Sequence, residues 1–109
     1  MCKYPMTEVI ARREFDFAGP HGHATVVASI GRPARMPDAP HGDWYCPWLI
    51  EGPDRSHGMY GAGVDELQAL LLAISGVRFD LQWIAQRGTL TWLEQGDLGI
   101  DLLPVPGAA

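Results

Sequence analysis

The chain has little charge, little cysteine and no long apolar run, and each shortage closes off a class of function. Only 19% of its 109 residues are charged, against about 25% in an average globular chain. Its eight basic residues are scattered apart from the pair Arg12-Arg13, and thirteen acidic residues bring the net charge to −5. A phosphate backbone finds no basic track on such a surface, so no nucleic-acid partner is expected. The longest apolar stretch, from Ala69 to Ile74, falls far short of the roughly 20 residues that cross a bilayer. No apolar leader follows Met1, so we expect no membrane partner and a cytoplasmic setting. The two cysteines, Cys2 and Cys46, are expected as free thiols in a reducing compartment.

Glycine and proline are plentiful instead, 13 and 9 residues respectively, and 47% of the chain is apolar. A loop-rich chain with a real core follows, and its length suits one domain, residues 1–109, with 104–109 as a tail. From Thr7 to Phe17 the residues Val9, Ala11, Phe15 and Phe17 alternate with polar ones, the period-2 pattern of a half-buried strand. Ile10 and Arg13 are its two exceptions. A turn over residues 18–23 leads to a second strand from Ala24 to Gly31, and the breakers between Arg32 and Asp43 read as a loop. Trp44 to Glu51 is a third strand, which Pro47 restricts to an edge or a bulge. With four glycines, Gly52 to Gly63 reads as another loop.

Asp65 is a good N-cap, and Gln68 three residues later completes a capping-box pattern for a helix from Glu66 to Arg87, with Gly88 as its C-terminal stop. Gly76 in its middle weakens it by about 1 kcal/mol relative to alanine. At 100° per residue, Leu67, Leu70, Ile74, Val77, Leu81 and Ile84 form one apolar stripe suited to packing on a sheet. Ala69, Leu72, Gly76, Phe79 and Trp83 form a second. A helix with its back to water needs one stripe, so the second must be covered by the chain's own segment from Leu98 to Val105 or by a second copy. Leu72, Gly76, Phe79 and Trp83 are therefore the candidate interface. Thr89 to Glu94 reads as a last strand, Gln95 to Asp97 as a turn, and Leu98 to Leu103 as an extended return.

No pattern of reactive residues commits the chain to chemistry. The glycines before the helix suggest a phosphate cradle, but Asp65 and Glu66 occupy that helix start and no Lys or Arg follows. His21, His23, His41, His57 and Cys46 match no metal-ligand spacing, so no metal or cofactor is expected. Cys46 between Trp44 and Trp48 suits a small buried hydrophobe better than a nucleophile. No two carboxylates are spaced to make an acid/base pair, so no catalytic residue is assigned. Trp44, Tyr45, Trp48, Met59, Tyr60 and Asp65 form a candidate ligand or partner patch.

The block Trp44-Tyr45-Cys46-Pro47-Trp48-Leu49-Ile50-Glu51-Gly52, with the Gly63-Val64-Asp65-Glu66-Leu67-Gln68-Ala69-Leu70 entry to the helix, resembles a family of short bacterial proteins classed as a domain of unknown function. That resemblance implies a bacterial, cytoplasmic, single-domain protein and no activity. The fold expected is α+β, an antiparallel sheet in the order β-β-β-α-β packed against one long helix. The function expected is a non-enzymatic binding or assembly module, homodimeric and open to a protein partner, of the small acidic immunity or accessory type. The alternative is a small-ligand binder or enzyme with a pocket between the strand from Trp44 to Trp48 and the segment from Gly58 to Gly63.

Overall fold

The computed structural model describes residues 4–100. The expected tail, and residues 101–103 of the return, lie outside the described residues. Among the described residues six strands and one helix follow in the order β1 (Val9–Gly19), β2 (Gly22–Gly31), β3 (Ala34–Arg35), β4 (Trp44–Glu51), β5 (Ser56–Gly63), α1 (Glu66–Ala85) and β6 (Thr89–Thr91). All pairings are antiparallel. β5 runs along one edge of β4 over its full length, while β2 and the short β3 share the other edge. The sheet order is therefore β5, β4, β2 with β3, β1, β6. The α+β class holds, with a sheet larger than four strands.

The alternation in β1 is the reason it folds as a strand, and both exceptions have structural causes. Ile10 sits in a register shift between Val9 and Ala11. Arg13, on the core side, donates from Nη1 to the carbonyls of Leu98 and Gly99 at 2.9 and 3.1 Å, and its guanidinium lies 3.8 Å from the centre of the Trp92 ring. The core itself forms between the sheet and α1 from Phe15, Phe17, Val26, Ile50, Val77, Leu81 and Ile84.

Residues 52–63 are not the expected loop: most of them form β5, in register with β4 from Glu51↔Ser56 to Trp44↔Gly63. Its apolar face is missing because glycine stands where side chains would normally pack. A Cβ on Gly61 would lie 2.6 Å from Ala73 N and 2.7 Å from Ala69 O, and one on Gly63 would lie 2.6 Å from Ala69 N. Helix backbone fills the space of the absent side chains. This close approach also shifts the buried stripe of α1. Ala69, Ala73, Val77, Leu81 and Ile84 are buried, whereas Leu67 is exposed and Leu70 and Ile74 are half-buried.

The helix starts as expected. Asp65 Oδ1 accepts from Gln68 N at 2.8 Å, and Gln68 Oε1 accepts from Val64 N at 2.8 Å, one residue earlier than in the usual box. It ends two residues before Arg87, with Gln86 as C-cap. Gly88 is kept small by Ala18 O and the Phe17 ring, each 2.6 Å from its would-be Cβ. The final strand stops at Thr91, because Trp92 and Gln95 close a two-residue turn through paired backbone hydrogen bonds of 2.9 and 3.0 Å. Leu93 and Glu94 adopt φ of 52° and 62° there, so the turn falls ahead of the expected Gln95–Asp97 position.

Candidate functional site

Strand alternation divides the expected aromatic patch between two faces. Trp48 lies on the α1 side, its ring directly over Gly76, whose would-be Cβ would come within 2.3 Å of it. The Trp48 indole N–H donates to Asp80 Oδ2 at 2.9 Å. Gly76 is thus taken up by an intramolecular contact and is not available to a partner. Trp44, half-buried, stands 5.0 Å from the Arg35 guanidinium. Tyr45 and Tyr60 lie on the opposite face, where Tyr4 packs against both with ring centres 4.9 and 4.8 Å away. Asp65 serves as a cap, and Met59 is exposed beside α1. No pocket opens between the strand from Trp44 to Trp48 and residues 58–63, because the two are hydrogen-bonded neighbours.

Cys46 is fully buried and its thiol donates to Gly31 O at 3.3 Å. Burial pushes its pKa from 9.0 to about 11, which keeps it a thiol and unsuited to nucleophilic attack. His21 and His23 are exposed on the β1–β2 hairpin. Among the described residues no group of three or more His, Cys, Asp or Glu side chains is placed to hold a metal. No helix among the described residues is long and apolar enough to cross a membrane.

Two features remain. The first is the outer flank of α1. Leu72, Phe79 and Trp83 are 46%, 69% and 46% exposed and fall within about 40° of one another around the helix. α1 runs back along β5, so this flank stands over the strand's open edge, beside Met59, which is 44% exposed. The described part of the C-terminal return does not cover it. Gly99 and Ile100 line a groove with Ile74 and Val77 instead, and Ile74 lies about 160° around the helix from Leu72.

The second feature is a cleft of about 250 Å³ between residues 52–57 and the C-terminal half of α1. Ile50, Pro53, Phe79, Trp83 and Ile84 supply its apolar walls, and Asp54, Arg55, His57, Asp80 and Arg87 converge on it. The guanidiniums of Arg87 and Arg55 lie 5.1 and 5.9 Å from the centre of the Trp83 ring. Arg87 also meets Asp54 at 3.6 Å, and His57 Nε2 is 3.7 Å from Asp80 Oδ2, a salt bridge only when the imidazole is protonated. A neighbouring cleft of about 260 Å³, lined by His21 and His23, shares Pro53, Asp54 and Arg87 with it. Sequence reasoning missed this cluster because a turn and a helix end contribute separately, with no spacing rule to connect them.

Comparison with known proteins adds one finding. No curated protein matches the chain, and no solved structure does. A family model described as a domain of unknown function, DUF6968, matches residues 11–102, which include β1 from Ala11 onward, the other five strands, α1 and both features above. The chain belongs to the DUF6968 family.

Proposed function

We propose that this protein is a non-enzymatic assembly module that pairs with a second copy of itself through the open edge of β5 and the outer flank of α1. The observation that carries this reading is the state of that edge. β5 offers eight residues, Ser-His-Gly-Met-Tyr-Gly-Ala-Gly, with no proline and no Lys, Arg, Asp or Glu. Its only strand partner among the described residues is β4. An open edge presents unpaired backbone donors and acceptors, and proteins that stay monomeric usually blunt such edges with charge, proline or bulges. A strand pairing antiparallel with its own copy satisfies a two-fold axis, the commonest symmetry of soluble oligomers.

The exposed helix flank points to the same partner. Because α1 lies directly on β5, joining two β5 edges also brings the two sets of Leu72, Phe79 and Trp83 toward each other. One operation then covers both the unpaired backbone and the apolar strip. In this reading the protein acts in the bacterial cytoplasm as a small acidic accessory protein, and the paired edge is its means of binding.

Light scattering behind size exclusion tests the reading. The expected result is a wild-type mass of twice 11.9 kDa and a single-copy mass for Leu72→Glu, which places a charge in the strip without touching the core. A wild-type protein that elutes with the single-copy mass at about 100 μM, where even weak dimers with Kd near 10 μM would be paired, overturns it.

A further inference from the structure

The cleft beside the β4–β5 turn carries a separate inference. We propose that it binds a small aromatic anion, with Trp83 and Phe79 holding the ring and Arg55 and Arg87 holding the charged group.

Size sets the first limit. A volume of about 250 Å³ is small for a ligand site, yet a cavity of roughly 150 Å³ already holds benzene. One ring with one charged substituent fits. The walls set the second limit. Phe79 and Trp83 keep large aromatic surfaces in water at the mouth, above the buried side chain of Ile84, which favours a flat apolar body.

Charge decides the rest. The protein carries −5 overall on only eight basic residues, yet two of those eight have their guanidiniums within 6 Å of one indole ring. Arg55 makes no salt bridge to a carboxylate among the described residues. Arg87 meets Asp54 at 3.6 Å with both side chains about half exposed, and such a pair is worth at most about 1 kcal/mol. A ligand anion can replace Asp54 at little cost. Asp80 does not compete for the guanidiniums, since its Oδ2 accepts the Trp48 indole N–H and faces His57. The planar guanidinium fork matches a carboxylate or phosphate and stacks on aromatic rings, so both halves of the ligand are served.

Phenyl phosphate is the probe, with inorganic phosphate and phenol as its two halves, and the readout is the indole N–H signals by NMR. The Trp83 signal is identified by its loss in Trp83→Phe. Phenyl phosphate is expected to shift that signal saturably, with each half at least about tenfold weaker and Arg55→Gln/Arg87→Gln about tenfold or more weaker for the whole. The retained dispersion of that variant's spectrum shows that it is folded. Because pairing of two copies would cover part of the same Phe79 and Trp83 surface, the titrations are run in Leu72→Glu, where both rings stay open to solvent, so that failure of this proposal and failure of the self-pairing reading are distinguishable. No shift up to about 10 mM, phenol binding as tightly as phenyl phosphate, or unchanged affinity in the double variant overturns the proposal.

Discussion

At the β1 side of the sheet, the edge is charged, irregular and in part paired; at the β5 side, it is uncharged, regular and bare. β6 caps only Asp16 to Ala18 of β1. The rest of β1 carries a register shift near Val9 and exposed Arg12 and Glu14 paired at 3.5 Å. Arg13 holds the chain near Leu98 and Gly99 against the same strand. Each of these devices discourages a further strand from adding. β5 has none of them, and the apolar flank of α1 stands beside it. One sheet therefore contains a blunted edge and a bare one, and the difference is what points to a partner at β5.

The largest expected effect tests why the β5 side is built as it is. Gly61→Ala puts a methyl group 2.6 Å from Ala73 N, where only the helix backbone can give way, so α1 must lift from the strand. A loss of about 3 kcal/mol or more in denaturant unfolding is expected. A variant within about 0.5 kcal/mol of wild type would show that the close helix-strand contact does not hold this edge in place.

A second effect lies in β4, the strand beneath the open edge. Burial raises the Cys46 thiol to about 11 in the folded state, from 9.0. Below pH 9 both states hold the proton, and the residue contributes no pH dependence. Between pH 9 and 11 only the unfolded chain ionises, so stability falls as pH rises, by on the order of 2–3 kcal/mol. Cys46→Ala is expected to be less stable at neutral pH but to lose this alkaline slope. A slope unchanged in Cys46→Ala would assign it to other groups.

The smallest effect concerns the β1 side. Leu93 and Glu94 occupy left-handed backbone at φ 52° and 62°, in a tight turn that usually takes Asn-Gly. The double change Leu93→Asn/Glu94→Gly is expected to raise stability by about 1 kcal/mol or more without changing oligomeric state. A change in oligomeric state would mean that the β6 side also takes part in assembly.

The sequence was legible where side chains alternate and silent where they are absent. β1, β2 and β4 show their apolar residues at every second position, and Asp65 with Gln68 marks the start of α1. β5 is invisible to the same reasoning because Gly61 and Gly63 replace its inward side chains, and glycine-rich segments ordinarily signal loops. The buried stripe of α1 departs from its apolar periodicity for the same reason: helix lying on glycine buries Ala69 and Ala73, not Leu67. Leu72, Phe79 and Trp83 were legible as a second face, whereas the role of Gly76 depends on Trp48, 28 positions away in sequence. The Arg55–Arg87 cleft depends on the turn between β4 and β5, which exists only because residues 56–63 form a strand.

Amide hydrogen exchange along both edges, measured across a range of protein concentrations, tests the central claim most directly. Exchange in β5, Ser56–Gly63, is expected to slow as concentration rises, and to return to its dilute rate in Leu72→Glu, while exchange in β1 stays constant throughout. Exchange in β5 that is independent of concentration, or that changes equally at β1, would contradict the account.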